Sequence, residues 1–347
     1  MKTVQVATAL SSVMLSCGLL MASTPSGRVV GWGNNSSGVV TGVASSGNST
    51  GIVSVAGQQL TNVVGISAGW SHAVALTSDG SVVAWGDNQY GQTSVPAGLT
   101  DAVAVAAGGI HSLALRKNGT LVEWGGSRGG WTPMPPGLSD VVAIAAGGAH
   151  NLALRGDGTV VMWGYSGFYR ELPDGLSNIV AIAAGPEHSR RDLAIRKEGT
   201  VVEWSALGGS IEIGERVPGE EDGVRGFFTK GARCPLIEGL NDVMAVAVGG
   251  TQSLALRSNG TVVQWANGEN VNAATRISLT ASPPGTNGLV AIGGRILSNV
   301  VAVAASASLD VGAGGSPALR VNLAVQRDGT LVSWDDMGKD ITAAVPK

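Results

Sequence analysis

LSDVVAIAAGGAHNLALRGDGTVVMWG, residues 138–164, decides the fold, because near-copies of it fill most of the remaining chain. The copies align on their ends. Trp32, Trp85, Trp124, Trp163, Trp204, Trp265 and Trp334 each close a unit and follow a Gly-x-Val/Leu-Val-x run. Seven closures imply seven units. The intervals between them are 53, 39, 39, 41, 61 and 69 residues, so the basic period is near 39 and three gaps carry insertions. A period in that range belongs to propellers and solenoids, where a unit cannot bury its apolar face alone and stacks on its neighbours.

Within residues 138–164, VVAIAA is short and apolar, NLALR alternates, and TVVMW is rich in β-branched residues, so each has strand length and none has helix length. Asp157-Gly158 joins the second segment to the third. Asp79-Gly80, Asn118-Gly119, Asn259-Gly260 and Asp328-Gly329 match it, with Glu198-Gly199 and Ser26-Gly27 as looser versions. These dipeptides predict two-residue primed hairpin turns. TSVP, residues 93–96, supplies a fourth, weaker strand whose proline suits a sheet edge. The expected architecture is all-β: a seven-bladed β-propeller of four-stranded antiparallel blades, closed by strands from both ends of the chain.

The pattern A-A-G-x-x-H-x-L-A-L-x-x-D/N-G-x-V-V-x-W-G resembles the repeat of the regulator of chromosome condensation family, here of a bacterial or viral type, from about Ser26 to the C terminus. WD-repeat propellers also show a Gly-His and a Trp in each blade, but their Trp-Asp ending occurs only at Trp334-Asp335. The resemblance implies a seven-bladed propeller. It does not select a function, because the family's activities range from nucleotide exchange on a Ran-type GTPase through ultraviolet-B perception to inhibition of β-lactamases. The ultraviolet-sensing relatives carry an extra tryptophan after the Ala-Gly of several blades. Only Trp70 stands at such a place in this chain, which argues against photoreception.

Composition narrows the classes further. The 347 residues are 14% charged with net charge -3, which gives no basic footprint for nucleic acid. Cys17 and Cys234 make no disulfide framework and fit no zinc spacing. No serine, cysteine or carboxylate pair comes with a partner motif, and the Gly-rich segments are turns between strands rather than phosphate loops, so neither an enzyme nor a cofactor is expected. His72, His111, His150 and His188 share one repeat position, which tempts a metal reading. Blade rotation separates them, and Gln252 takes the place in the sixth unit, so a structural role is expected. Glu220, Glu221, Asp222 and Asp335-Asp336 lack the spaced oxygens of a calcium loop. The closing tryptophans are expected to pack between blades.

Residues 1–25 admit two readings. MKT followed by VQVATALSSVMLSCGLLMAS resembles a secretory signal peptide, while residues 3–10 track 92–99 and LLMASTPSGRVVGWG tracks HNLALRGDGTVVMWG without a gap. Insertions fall at 34–59, 205–238, 266–296 and 306–321. The tail repeats the register of GDNQYGQTSVPAG, so residues 341–346 offer a strand to the closing blade.

If strands alternate in direction, every long insertion lies at one end of the blades and the Asp-Gly turns lie at the other. One face is elaborated and the other is expected to be plain. The aromatics other than the closing tryptophans, including Trp70 and Tyr90, fall in the loops of the elaborated face. A protein-binding surface is therefore expected there, centred on Arg225, Phe227 and Phe228 within the charged insertion, with Trp131, Phe168 and Tyr169 as neighbours. The function expected is a non-enzymatic binding or structural module on a secreted, cell-surface or virion assembly. The alternative is an intracellular regulator resembling a nucleotide-exchange factor.

Overall fold

The computed structural model describes residues 5–8, 27–126, 133–164, 172–186, 191–205, 211–213, 226–228, 240–250, 252–266, 289–292, 295–305 and 322–334. Among them there is no helix. Each of the seven closing tryptophans lies on a strand of a different sheet, and the sheets are named here by them. In the Trp163 sheet, Val141–Ala146, His150–Arg155 and Val160–Gly164 pair in chain order, all antiparallel. The Trp85, Trp124, Trp204, Trp265 and Trp334 sheets repeat this three-stranded meander. The Trp32 sheet departs from it: Val29–Asn34 pairs in parallel with Gln5–Thr8 on one edge and antiparallel with Asn48–Ile52 on the other.

The sheets stack in chain order. The first strand of each lies beside the first strand of the next, and the middle strand lies against the first strand of the sheet that follows. The core is consequently a row of clusters at the seams. Between the Trp124 and Trp163 sheets, Trp163 packs with Leu113, Leu115, Leu121, Val141 and Ile144. Between the Trp163 and Trp204 sheets, Trp204 packs with Leu152, Leu154, Ile179 and Ile182. Each indole covers roughly 200 Å² of apolar surface, on the order of 5 kcal/mol of transfer free energy before ordering costs.

Two expectations need correction. Residues 93–96 form no strand: Ser94 N bonds Gly91 O at 3.0 Å and Val95 N bonds Thr93 O at 3.0 Å, so local turns take the backbone groups a fourth strand would need. The Asp-Gly turns are not primed two-residue loops either. Gly158 (φ 82°) alone is left-handed, Gly158 N bonds Arg155 O, and Arg155 N bonds Thr159 O, which makes a three-residue loop ending in a glycine bulge. The aspartate keeps ordinary φ because its carboxylate is engaged two residues ahead, accepting from Thr159 N at 2.9 Å and Thr159 Oγ1 at 2.7 Å. That pair of bonds holds the Asp157 carboxyl below its ordinary range, as the equivalent bonds from Thr330 do for Asp328, while Asp79 is held low by the Thr77 hydroxyl and Ser81 N.

The first strands are interrupted in register near their starts. In the Trp163 sheet the register skips from Val141↔Arg155 to Ala143↔Leu154, leaving Val142 as a bulge. The same skip isolates Val64, Val103, Val180, Met244 and Val301. Five of these six side chains are exposed, by 44% at Val301 to 58% at Val142.

Candidate interaction faces

The two ends of the stack are fixed by short backbone bonds. At one end, Asp87 N bonds Ser71 O and Gly126 N bonds Ile110 O, so the turn after the first strand and the exit after the last lie together. At the other, Ala102 N bonds Gly80 O and Val141 N bonds Gly119 O, tying each Asp/Asn-Gly turn to the start of the next first strand. Gly27 exchanges two bonds with Val63, which places Gly27 at the turn position.

Close approach at the first end requires glycine. A Cβ on Gly69 would stand 2.1 Å from Gly108 O and 2.5 Å from the His72 ring, and one on Gly108 would stand 2.7 Å from Gly147 O. Sheet-to-sheet bonds follow, from Gly109 N to Gly147 O and from Gly148 N to Gly185 O, both 3.2 Å. Trp70 lies across Gly109, where a Cβ would meet its ring at 3.0 Å, and remains 39% exposed. Tyr90 is half-buried in the exit loop.

The histidines beneath this collar are seam fasteners. His72 Nε2 lies 2.9 Å from Ser112 Oγ, His111 Nε2 2.7 Å from Asn151 Oδ1, and His150 Nε2 2.7 Å from Asp192 Oδ1. Ser112 Oγ already donates to Gln92 O, and Asn151 Nδ2 donates to Glu123 Oε1, so the partner atoms can only accept. All three rings therefore donate from Nε2. Gln252, the replacement noted in the sequence, donates to Asn322 Oδ1 at 2.8 Å in the same geometry. Burial drives the His72 pKa down to about 4 and the His111 pKa to about 3, against the upward pull of His111 backbone and Asp87 on the first and Asn151 on the second. His188 lies outside the described residues.

The tryptophans make a second fastener. Trp163 Nε1 donates to Glu123 Oε2 at 3.0 Å, Trp265 Nε1 to Glu203 Oε2 at 2.7 Å, and Trp334 Nε1 to Gln264 Oε1 at 2.7 Å. In each case the acceptor is the residue before the tryptophan of the preceding sheet. Trp85 and Trp124 instead donate to backbone carbonyls, Val39 O at 2.8 Å and Gln92 O at 3.0 Å, in the exit loops of the preceding sheets. Those loops are held by side chains: Asn35 Oδ1 accepts from Val40 N, and Gln92 bridges Tyr90 N and Asp87 Oδ2.

Of the aromatic centre read from the sequence, Phe227 and Phe228 lie in a strand, Gly226–Phe228, paired antiparallel with Ile211–Ile213 so that Phe228 stands opposite Ile211. This corrects their reading as residues of an irregular loop. The alternation of Ile211 and Ile213 and the paired phenylalanines were the available signal. Arg225, Trp131, Phe168 and Tyr169 lie outside the described residues, as does the tail 341–346. The second surface, at the turn end, was missed: Val103, Val142, Val180, Met244 and Val301 recur at one position of successive first strands. Among the described residues, no group of three His, Cys, Asp or Glu is placed to hold a metal ion, and no helix is long and apolar enough to cross a membrane.

The family model of the regulator of chromosome condensation (RCC1) repeat matches residues 63–92 and 141–170, two units that carry the glycine collar, the histidine and the closing tryptophan. Yeast RCC1 (Prp20), solved with Kap60 bound, superposes over 95% of this chain and 83% of its own with a TM-score of 0.58 at 18% identity. The chain is an RCC1-like repeat protein. Human WBSCR16 shares the fold with a TM-score of 0.55 at 17% identity, over 89% of this chain and 88% of that one. The ectodomain of the Physcomitrella patens receptor kinase CR4 does so at 0.53 and 19%, over 89% and 72%. The RCC1-like architecture is thus a β-propeller, and what it does rests on the surfaces described above.

Proposed function

We propose that this RCC1-like chain is a non-enzymatic protein-binding module, its seven tryptophan-bearing sheets closing into a seven-bladed ring. The observation that carries the reading is exposed Trp70 on the glycine collar, at the end of the stack where the exit loops leave, over a scaffold whose polar interior is used in fastening seams. Exposed aromatics beside loops of varied length are suited to a partner protein, and truncating one such anchor costs about 2 kcal/mol or more of binding. The centre of that surface is proposed at Arg225, Phe227 and Phe228, with Trp131, Phe168 and Tyr169 around it. No nucleic acid and no cofactor are part of this reading.

Two settings are proposed for it. In one, the module is displayed on a secreted, cell-surface or virion assembly. In the other it is an intracellular regulator resembling an exchange factor, a reading supported by the likeness to Prp20p of Saccharomyces cerevisiae, whose structure was described with its binding to Gsp1p and histones (TM-score 0.52, 20% identity, over 79% of this chain and 72% of that). Cross-linking in the native source, followed by mass spectrometry of the partner and of the N terminus, separates the two. A Phe227→Ala, Phe228→Ala variant with unchanged thermal unfolding is expected to lose the cross-linked partner. Retention of that partner by the folded variant would reject this centre.

A further inference from the structure

Six seams between consecutive sheets fall within the described residues, and five of them give the incoming indole an acceptor. The sixth, between the Trp163 and Trp204 sheets, does not. Trp204 is 5% exposed, and its Nε1 has no hydrogen-bond partner among the described residues. The side-chain acceptor used at three other seams is missing here. The position before the preceding tryptophan, filled by Glu123, Glu203 and Gln264 at the other side-chain-fastened seams, is occupied here by Met162, a thioether that packs against the Trp204 cluster.

A second buried atom on this seam is also left over. Asn151 uses Oδ1 for His111 and Nδ2 for Glu123, so both ends of its amide are engaged. Asp192 is the equivalent residue one sheet on. Its Oδ1 accepts from His150 and from Gly185 N, while its Oδ2 has no partner among the described residues and the side chain is fully buried. By the repeat, that oxygen faces position 162, where Asn151 Nδ2 meets Glu123. One seam therefore buries an unsatisfied donor and an unsatisfied acceptor on either side of one apolar side chain.

We infer that this seam is the place where the stack of sheets parts first, a breach point set by Met162. The apolar cluster here matches those of its neighbours, so what distinguishes it is the unbonded indole: parting this seam lets water reach Trp204 Nε1 as well as Asp192 Oδ2, whereas parting any of the other five breaks an indole bond, the Trp334 seam included, where Asn322 Nδ2 is likewise left over. Glutamine at 162 offers both contacts, its Oε1 accepting from Trp204, as Gln264 Oε1 accepts from Trp334, and its Nε2 donating across the seam to Asp192. Glutamate does not, because it sets a second carboxylate against Asp192.

The test uses three alanines that are fully buried at one repeat position, Ala153, Ala194 and Ala255, one on the second sheet of each of three consecutive seams. In the full chain with Cys17→Ser and Cys234→Ser, A153C, A194C and A255C are each exposed to a thiol reagent under native conditions. The A194C thiol is expected to react roughly tenfold faster or more than the other two, and M162Q is expected to bring it down to their rate. Equal rates for the three thiols, a faster thiol at 153 or 255, or an A194C rate unmoved by M162Q in folded protein would overturn the inference. Should A194C fail to fold, indole N–H exchange in the otherwise unaltered chain decides. Trp204 Nε1–H is expected to exchange faster than those of Trp163 and Trp265 and to slow in M162Q, and any other order contradicts the breach point.

Discussion

The seams at the start of the chain and those further along solve one problem in two ways. Trp85 and Trp124 donate to main-chain carbonyls of a tucked exit loop, and the residue before the preceding tryptophan is small, Gly31 or Ala84. A Cβ on Gly31 would stand 2.1 Å from Val40 O, so the loop occupies the space a side chain would need. Trp163, Trp265 and Trp334 donate to Glu123, Glu203 and Gln264, which take the position that the loop takes in the earlier seams. Five of the six described seams give the buried indole N–H an acceptor. Whether backbone or side chain supplies it is left to the loop that follows.

The contrast predicts different sensitivities. Glu203→Ala removes the acceptor of Trp265 and the carboxylate beside Arg191, in a side chain 3% exposed. It is expected to destabilise by about 3–5 kcal/mol in urea unfolding, since a partner is left buried. A loss under 1 kcal/mol would mean the side-chain fastener is ornamental.

Acid reaches the histidine layer next. His72 and His111 have folded pKa values of about 4 and about 3 against 6.5 for the model group, so the unfolded chain binds protons first as pH falls. Stability from these groups is full above about pH 6.5 and declines as pH drops toward 4 and then 3, by on the order of 3 kcal/mol for His72 alone. His111→Gln, copying the arrangement of Gln252, is expected to flatten the melting temperature against pH between 6 and 4. An unchanged slope would remove His111 from the explanation.

The smallest expected effect lies on the backbone-fastened side. Val39→Ala keeps the carbonyl that Trp85 uses, so only lost methyl contacts count, about 1 kcal/mol, with Trp85 fluorescence unchanged.

Much of this arrangement was legible in the sequence, and the reasons it stopped are physical. Tryptophan spacing and the Asp/Asn-Gly dipeptides locate the sheets, because each marks a backbone requirement repeated in every unit. The loop geometry was misread because a dipeptide does not reveal that Asp157 spends its carboxylate on Thr159. Pairing of residues 93–96 was misread because Val-Pro suits an edge strand and a turn alike. Val142 and its equivalents are not set apart in VVAIAA, since a bulge is a property of the register with the neighbouring strand and leaves no mark on the strand itself. Glu123, Glu203 and Gln264 drew no reading, although the change from Gly31 and Ala84 to long polar residues in front of the later tryptophans was open to view. The aromatic centre stands as a proposal: Phe227 and Phe228 lie in a strand, and Arg225, Trp131, Phe168 and Tyr169 lie outside the described residues.

The account turns on the indole bond, and a Trp→Phe series in equilibrium urea unfolding tests it directly. Each substitution removes the N–H together with part of a ring, so the ring loss is common to all and the differences report the bond. Trp163→Phe, Trp265→Phe and Trp334→Phe are predicted to cost about 1–2 kcal/mol more than Trp204→Phe, whose N–H has no acceptor to lose. A Trp204→Phe variant as costly as the other three would contradict the claim that acceptors before each tryptophan hold the seams.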